Sequence, residues 1–172
     1  KEKLIYFSMG TVNNDMTIFS KNCIDAMGSS DYQVVISVGN QVDIKLLEEY
    51  VTSSNSRAEF CILPYVDQIA VLQKADVFLT HCGMNSVSEA LYFKVPLVMY
   101  PQTNEQKGVA FRVNELGAGL YLTDETVVGI QTAFHEVIQN EMYQKHAGEI
   151  SDSFARCGGC KKAVEKIVEV FA

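Results

Sequence analysis

The stretch FLTHCGMNSVSEAL, residues 78–91, begins as a continuous apolar run and ends in a pattern typical of a helix. Gly83 stands at the change and permits either an unusual backbone angle or the close approach of another group. Asn85 and Ser86 follow at the predicted helix N-terminus, where free N–H groups and a partial positive charge attract anions. The stretch therefore predicts a buried strand, a tight turn and a helix whose first turn can bind a phosphate.

Glu89 extends this candidate site along the same helix. It follows Asn85 by four residues, so both side chains lie on one face, about one turn or ~5.4 Å apart along the axis. A carboxylate has two acceptor oxygens, which suit a vicinal diol such as a ribose. Two simpler interpretations stay open: Glu89 compensates the helix dipole, and His81 is a buried histidine with satisfied hydrogen bonds.

Short apolar runs on either side of this stretch predict the rest of a sheet. They are continuous and rich in Val, Ile and Phe, which indicates burial on both faces, as in a parallel sheet. The predicted strands are LIYFS (residues 4–8), VVISV (34–38), FCIL (60–63), VFLT (77–80) and PLVMY (96–100), with LYL (120–122) as a candidate sixth.

Helical patterns separate the predicted strands, which indicates βαβ units. They cover residues 16–27, 44–51, 67–75, 85–93, 104–116, 126–140, 142–154 and 160–170. Strand–helix alternation of this kind predicts an α/β fold, a Rossmann-like, doubly wound parallel sheet. Ligands of such sheets bind at the carboxyl ends of the strands, so the loops that follow the strands are the places to search.

Length and composition exclude several classes of protein. The chain has 172 residues, 48% of them hydrophobic, which suits a single globular domain over residues 1–172. No apolar run approaches the ~20 residues of a membrane span, and no signal peptide is visible. Because the sequence begins with Lys1 and a strand follows almost at once, we expect a piece excised from a longer chain.

Charge and cysteine content indicate which partners and which cellular compartment to expect. The net charge is −7, and without a basic patch we expect no nucleic-acid partner. The five cysteines are odd in number and scattered, which predicts no disulfide framework and a reduced, cytoplasmic protein. Cys157 and Cys160 form a CxxC motif. We favour the interpretation that they are two small residues at the start of the last helix over a role in redox or metal chemistry.

Three other loops carry polar or aromatic candidates. Ser8, Gly10 and Thr11 form a turn that could approach an oxyanion, although an ordinary turn fits as well. Tyr65 could stack on a base or simply cover the core, and Asp67 predicts a helix N-cap. Neighbouring acidic and amide side chains could bind hydroxyl groups or form a solvated helical turn; they are Glu105 and Gln106.

Two segments resemble a known family. THCGMNSVSEALYFKVPLVMYPQTNEQ, residues 80–106, is similar to the signature segment of family 1 nucleotide-sugar glycosyltransferases, and LIYFSMGTVNN, residues 4–14, resembles a strand and loop of their C-terminal half. The macrolide-type bacterial enzymes are the most similar subgroup. The resemblance covers nearly the whole chain and implies the C-terminal, donor-binding half of a GT-B fold, in which two Rossmann-like domains face a cleft.

The resemblance also implies roles for individual residues. His81 would contact the donor diphosphate, while Glu89 would hold the ribose hydroxyls. The remaining implied donor contacts are Gly83, Asn85, Ser86 and Ser8 at the phosphates, Glu105 and Gln106 at the sugar hydroxyls, and Tyr65 and Gln68 where the family often has W-x-P-Q. The chain has no Trp, so Tyr65 would do any stacking, Asp67 replaces the family's Pro, and a thymine-based donor stays open beside UDP.

The implied reaction is inverting displacement at the anomeric carbon, without a metal or other cofactor. The family's catalytic base is a histidine of the N-terminal, acceptor-binding domain, so no residue of this chain is expected to act as the base, and the domain alone is expected to be inactive. The other interpretations are a nucleotide-sugar epimerase, one subunit of a split transferase, and a non-catalytic UDP-sugar-binding module. An upstream segment with its own strand–helix pattern and a candidate histidine would favour the single-chain enzyme.

Overall fold

Six strands form one parallel sheet, as the continuous apolar runs predict. A computed structural model describes residues 3–10, 17–40 and 42–171. The five predicted strands and the candidate sixth are all present, with small differences at their ends. The strands are β1 (Lys3–Ser8), β2 (Tyr32–Ser37), β3 (Glu59–Leu63), β4 (Val77–Thr80), β5 (Leu97–Met99) and β6 (Gly119–Tyr121).

The order of the strands creates a switch point between β1 and β4. The sheet runs β3-β2-β1-β4-β5-β6, so successive strands are added in one direction up to β3 and in the other from β4 onward. In the register of the pair, Ser8 lies opposite Thr80. The two strands therefore end side by side, and the loops that follow them diverge around a crevice.

The predicted helices are also confirmed, with shifts of a few residues at their ends. Residue 16, where the first was expected to begin, lies outside the described residues. The helices are α1 (Thr17–Gly28), α2 (Ile44–Ser53), α3 (Gln68–Leu72), α4 (Met84–Tyr92), α5 (Asn104–Glu115), α6 (Val127–Gln139), α7 (Glu141–Arg156) and α8 (Gly159–Phe171).

Two apolar cores lie on opposite faces of the sheet. One contains buried residues of α1, α2 and α6, including Phe19, Leu47 and Ile130. The other contains residues of α3, α4, α5 and α7, including Val87. Neighbouring residues of β1 alternate between them, with Phe7 in the first core and Tyr6 in the second. The doubly wound α/β class predicted from the sequence is therefore confirmed.

Local signals in the sequence explain where several helices begin and end. Asp67 caps α3 by accepting a hydrogen bond from the Ala70 N–H at 3.0 Å, as its position predicts. Gly117 follows α5 with a φ of 69°, a left-handed conformation that glycine adopts without strain. The two cysteines of the CxxC motif are exposed at the junction of α7 and α8.

Helix α8 presents an apolar surface that nothing in the described part of the chain covers. Ile167 and Val168 are each 58% exposed and Phe171 is 84% exposed, and α8 has no buried residue. Among the described helices, none is long and apolar enough to cross a membrane. This exposed helix face contrasts with α6, whose apolar side is buried against the sheet.

The contrast between α6 and α8 predicts the effect of one substitution made in both. Ile130→Ala should lower the free energy of unfolding by about 2–5 kcal/mol, since deleting a buried side chain loses apolar contacts and leaves a cavity. Ile130 is 0% exposed. Ile167→Ala should change the free energy of unfolding by less than about 0.5 kcal/mol, because substitutions of exposed residues cost little. Urea denaturation measures both, and equal losses would contradict the described packing.

Candidate functional site

A cavity of about 700 Å³ opens at the carboxyl ends of β1 and β4. It lies at the switch point of the sheet, where open α/β folds bind their ligands. The predicted site residues that line it are Ser8, Tyr65, Gln68, His81, Gly83, Asn85, Ser86, Glu89 and Glu105. Gln106 is the predicted residue that does not line it. Site residues that are spread along the sequence therefore lie together on one concave surface.

His81 lines this cavity and stands between two glycines. A Cβ atom added to Gly10 would lie 2.8 Å from Cε1 of the His81 ring, and one added to Gly83 would lie 2.8 Å from Nε2. Gly83 therefore serves close approach, one of the two roles predicted for it. The unusual backbone angle belongs to Cys82, which is buried at a φ of 68°.

The electrostatic surroundings of His81 favour its neutral form. Burial lowers the pKa of His81, while the Ser8 backbone and the charge of Glu105 raise it in part. Nδ1 is buried, and no hydrogen bond of standard geometry reaches it from the described residues. The Ser8 backbone lies within the electrostatic reach of the ring, so a buried histidine bonded within the protein stays the alternative interpretation. A buried polar atom without a partner has a free-energy cost that a ligand or a water can remove.

The N-terminus of α4 borders the cavity beside His81. Its N-cap is Gly83, which has no side chain to cap the helix, whereas α2, α3, α5, α6 and α7 begin at capping Asp, Thr or Asn side chains. Asn85 and Ser86 occupy the first turn of α4 and line the cavity. Free N–H groups at such a terminus, together with the helix dipole, can bind an anion.

Glu89 lies one turn further along α4 and is held by Gln68. The Gln68 amide nitrogen donates to Oε2 of Glu89 at 2.6 Å and to the hydroxyl of Ser86 at 3.2 Å. The Gln68 carbonyl oxygen accepts from the hydroxyl of Tyr6 at 3.1 Å. Within the described residues, no hydrogen bond reaches the other Glu89 oxygen, Oε1. Glu89 thus offers an acceptor to the cavity.

Tyr65 and Glu105 lie on the walls of the cavity. Tyr65 is 55% exposed. That exposure is high for an aromatic ring that covers the core, and it leaves part of the ring open to a ligand. Glu105 stands in the first turn of α5, and its charge influences the pKa of His81. An aromatic ring and a carboxylate therefore flank the histidine and the helix terminus.

Gln106 is part of a capping box at the start of α5. Its side-chain Oε1 accepts from the backbone N–H groups of Gln102 at 2.8 Å and Thr103 at 3.1 Å. Its backbone N–H donates to the Thr103 hydroxyl. Its carbonyl oxygen is thereby occupied. The sequence TNEQ, residues 103–106, carries this signature, because Thr followed three residues later by Gln is the capping-box pattern.

Sequence reasoning missed Tyr6 and Ser37, which also line the cavity. The signal for Tyr6 was its position inside the apolar strand LIYFS, since a buried tyrosine hydroxyl usually has a hydrogen-bond partner. Ser37 ends β2 at the same edge of the sheet. Thr11, proposed from the sequence beside Ser8 and Gly10, lies outside the described residues. No group of three or more potential metal ligands occurs within the described ranges.

The family described as "UDP-glucoronosyl and UDP-glucosyl transferase" matches residues 1–154. The chain belongs to this family. The predicted resemblance is thereby confirmed, and its relatives include bacterial glycosyltransferases. An uncharacterized UDP-glucosyltransferase of Bacillus subtilis, YdhE, is 39% identical over 98% of this chain and 42% of its own length. An NDP-glycosyltransferase of the same organism, YjiC, is 39% identical over 95% of this chain and 41% of its own.

A solved structure that is similar to this chain shares its fold. The glycotransferase of kitacinnamycin superimposes on this chain with a TM-score of 0.83 and 26% sequence identity, covering 98% of this chain and 43% of that one. The Rossmann-like fold predicted for part of a GT-B glycosyltransferase is therefore confirmed. The chain spans about two fifths of the length of these relatives.

The contact between Gly10 and His81 predicts the result of a double-mutant cycle. Gly10 and Gly159 both have positive φ angles, 75° and 55°, but an added Cβ meets the His81 ring at the first and nothing within 4 Å at the second. Gly159→Ala should cost only the left-handed strain of about 1–2 kcal/mol. Gly10→Ala should cost about 1–3 kcal/mol more from steric overlap.

His81→Ala should remove this additional cost and leave the strain. Urea denaturation of the single and double variants measures the coupling free energy. Additive losses at Gly10 and His81 would show that the ring does not occupy the space beside Gly10.

Proposed function

We propose that this chain is the C-terminal, donor-binding half of an inverting glycosyltransferase that transfers a hexose from a nucleotide diphosphate to a hydroxyl of a small-molecule acceptor. The observation that carries the proposal is the alignment of three groups in one cavity. His81 lies between Gly10 and Gly83, the uncapped end of α4 follows, and Glu89 stands one turn beyond. The order of these groups in space would suit the diphosphate and then the ribose of such a donor.

The diphosphate would lie against His81 and the first turn of α4. The Nε2 atom borders both glycines, so an oxyanion can approach it without meeting a Cβ atom. A bound diphosphate would raise the pKa of His81 and favour donation from the ring. As the sugar departs, negative charge grows on the diphosphate, and preorganised donors stabilise that charge. His81 would therefore assist the leaving group without acting as the base.

The nucleoside and the sugar would occupy the two sides of this anion site. Glu89 would accept hydrogen bonds from the ribose through Oε1, and the exposed ring of Tyr65 would stack on the base. Glu105 would accept hydrogen bonds from sugar hydroxyls. The side-chain carbonyl oxygen of Gln106 is occupied by the capping box, so Gln106 would contact the sugar through its amide N–H groups. The nucleobase of the donor would be uracil or thymine.

A second domain of the same protein would complete the enzyme. The relatives are more than twice the length of this chain, and the exposed apolar face of α8 offers a surface for another domain to cover. The acceptor contacts and catalytic base would belong to that N-terminal domain, so the chain alone would bind donor and transfer no sugar. The location proposed for the protein is the cytoplasm, as the odd number and scattered spacing of its five cysteines predict. A split transferase would instead have this domain as a separate chain.

Calorimetric titration with UDP tests the donor site. Binding to the unmodified chain is expected with a dissociation constant below about 1 mM, and His81→Ala and Glu89→Ala should each weaken it about tenfold or more, since each removes a charge-assisted hydrogen bond. The matched controls are the exposed residues His135 and Glu48. Their substitution by alanine should leave the affinity unchanged.

Titration with TDP in parallel identifies the preferred base. Absence of both heat and a thermal shift with either nucleotide at about 1 mM would contradict a donor site of useful affinity. Unchanged affinity in both site variants would show that UDP binds elsewhere.

A further inference from the structure

We infer that Tyr6, a residue of the sheet interior, is a positioning residue that selects ribose nucleotides, because it orients the Gln68 amide and through it the Glu89 carboxylate. The inference rests on the proposed donor site. It assigns to Gln68 an indirect role, since both of its N–H groups are used within the protein.

The carboxylate of Glu89 determines the direction of every hydrogen bond in this network. An ionised carboxylate can only accept, so the Gln68 nitrogen, 2.6 Å away, must donate to Oε2. The Gln68 carbonyl oxygen therefore faces Tyr6, and the phenol must donate to it at 3.1 Å. A flipped amide would place two acceptors together at Glu89, whose ionised carboxylate has no proton to donate. Glu89 therefore sets the direction of the amide, and the Tyr6 hydroxyl anchors its carbonyl end in that orientation.

Tyr6 is held rigidly enough to impose this orientation. It is 1% exposed, and its ring stacks on Phe78 with a centroid separation of 4.5 Å and an interplanar angle of 13°. Burial raises the pKa of Tyr6, hydrogen bonds with Ser8 and Ser37 lower it in part, and the charge of Glu89 raises it. The phenol consequently keeps its proton for donation. The Ser37 hydroxyl donates to the carbonyl oxygen of Pro64 at 3.4 Å.

The network leaves one oxygen of Glu89 for the ligand. With Oε2 occupied by Gln68, Oε1 is the acceptor available to a ribose hydroxyl. A carboxylate free to rotate could accept from water or from other parts of the nucleotide equally well. Holding one oxygen fixes the direction of the other, so the preference for a hydroxyl-bearing sugar depends on the hydroxyl of Tyr6.

Tyr6→Phe tests this inference in the full chain, because it removes one oxygen and keeps the ring that stacks on Phe78. Dissociation constants are measured for UDP, 2′-deoxy-UDP and 3′-deoxy-UDP. The unmodified chain should prefer UDP over at least one deoxynucleotide by about tenfold, the effect of a hydrogen bond to a charged group. In Tyr6→Phe this ratio should fall to about twofold or less, through weaker UDP binding.

Two further variants separate positioning from a general loss of structure. Gln68→Met, which removes the amide, should lose the preference to the same extent. Tyr50→Phe removes a hydroxyl that donates to Asp25 at 2.7 Å outside the cavity, and should keep the full ratio. Thermal unfolding of each variant confirms that it is folded, and Gln68→Met keeps the test valid if Tyr6→Phe does not fold.

Each outcome bears on a distinct claim. A tenfold preference that survives in Tyr6→Phe and Gln68→Met overturns the positioning role and leaves the donor site standing. An unmodified chain that binds UDP and both deoxynucleotides equally overturns the role of Glu89 toward ribose, and the inference with it. Failure of the unmodified chain to bind UDP overturns the donor site itself.

Discussion

The reversal of strand order between β1 and β4 is the constraint on which the site depends. It places Ser8 opposite Thr80 in neighbouring strands and directs the following loops apart, so that a crevice forms between them. Gly10 from one loop and Gly83 from the other then approach the same imidazole ring. If either strand were exchanged in the sheet, no local property of these residues would bring them together.

The proposed anion site of this acidic chain relies little on cationic side chains. The net charge is −7, and Lys and Arg do not line the cavity among the residues that the structure describes. The anion would instead meet backbone N–H groups, the dipole of α4 and a histidine whose pKa burial has lowered. The binding free energy would come from preorganised dipoles, whose attraction is shorter in range than that of net charge.

Much of the fold is predictable from the sequence because its signals are local. Continuous apolar runs identify the strands, and Asp67 and Gly117 mark helix ends through a side-chain cap and a left-handed turn. The sequence also identified most of the cavity, because the helix tip and Glu89 belong to one helix with a known repeat. What it could not supply is contact across elements. Tyr6 in β1 meets Gln68 in α3, and no spacing rule relates residues so far apart.

Competition between local and tertiary roles accounts for the remaining differences. Gln106 is predicted to contact the sugar, and because its side-chain carbonyl oxygen caps α5, that contact stays a prediction for its amide N–H groups. The unusual backbone angle that Gly83 could have supplied is adopted by Cys82, while Gly83 leaves space beside His81. In both cases a sequence pattern admits two physical roles, and only the three-dimensional contacts decide between them.

A crystal structure of the chain with UDP tests the central claim most directly. The account predicts diphosphate oxygens about 2.7–3.1 Å from Nε2 of His81 and from backbone N–H groups at the start of α4, with a ribose hydroxyl on Oε1 of Glu89. A diphosphate located away from the switch point, or a ribose directed away from Glu89, would contradict it.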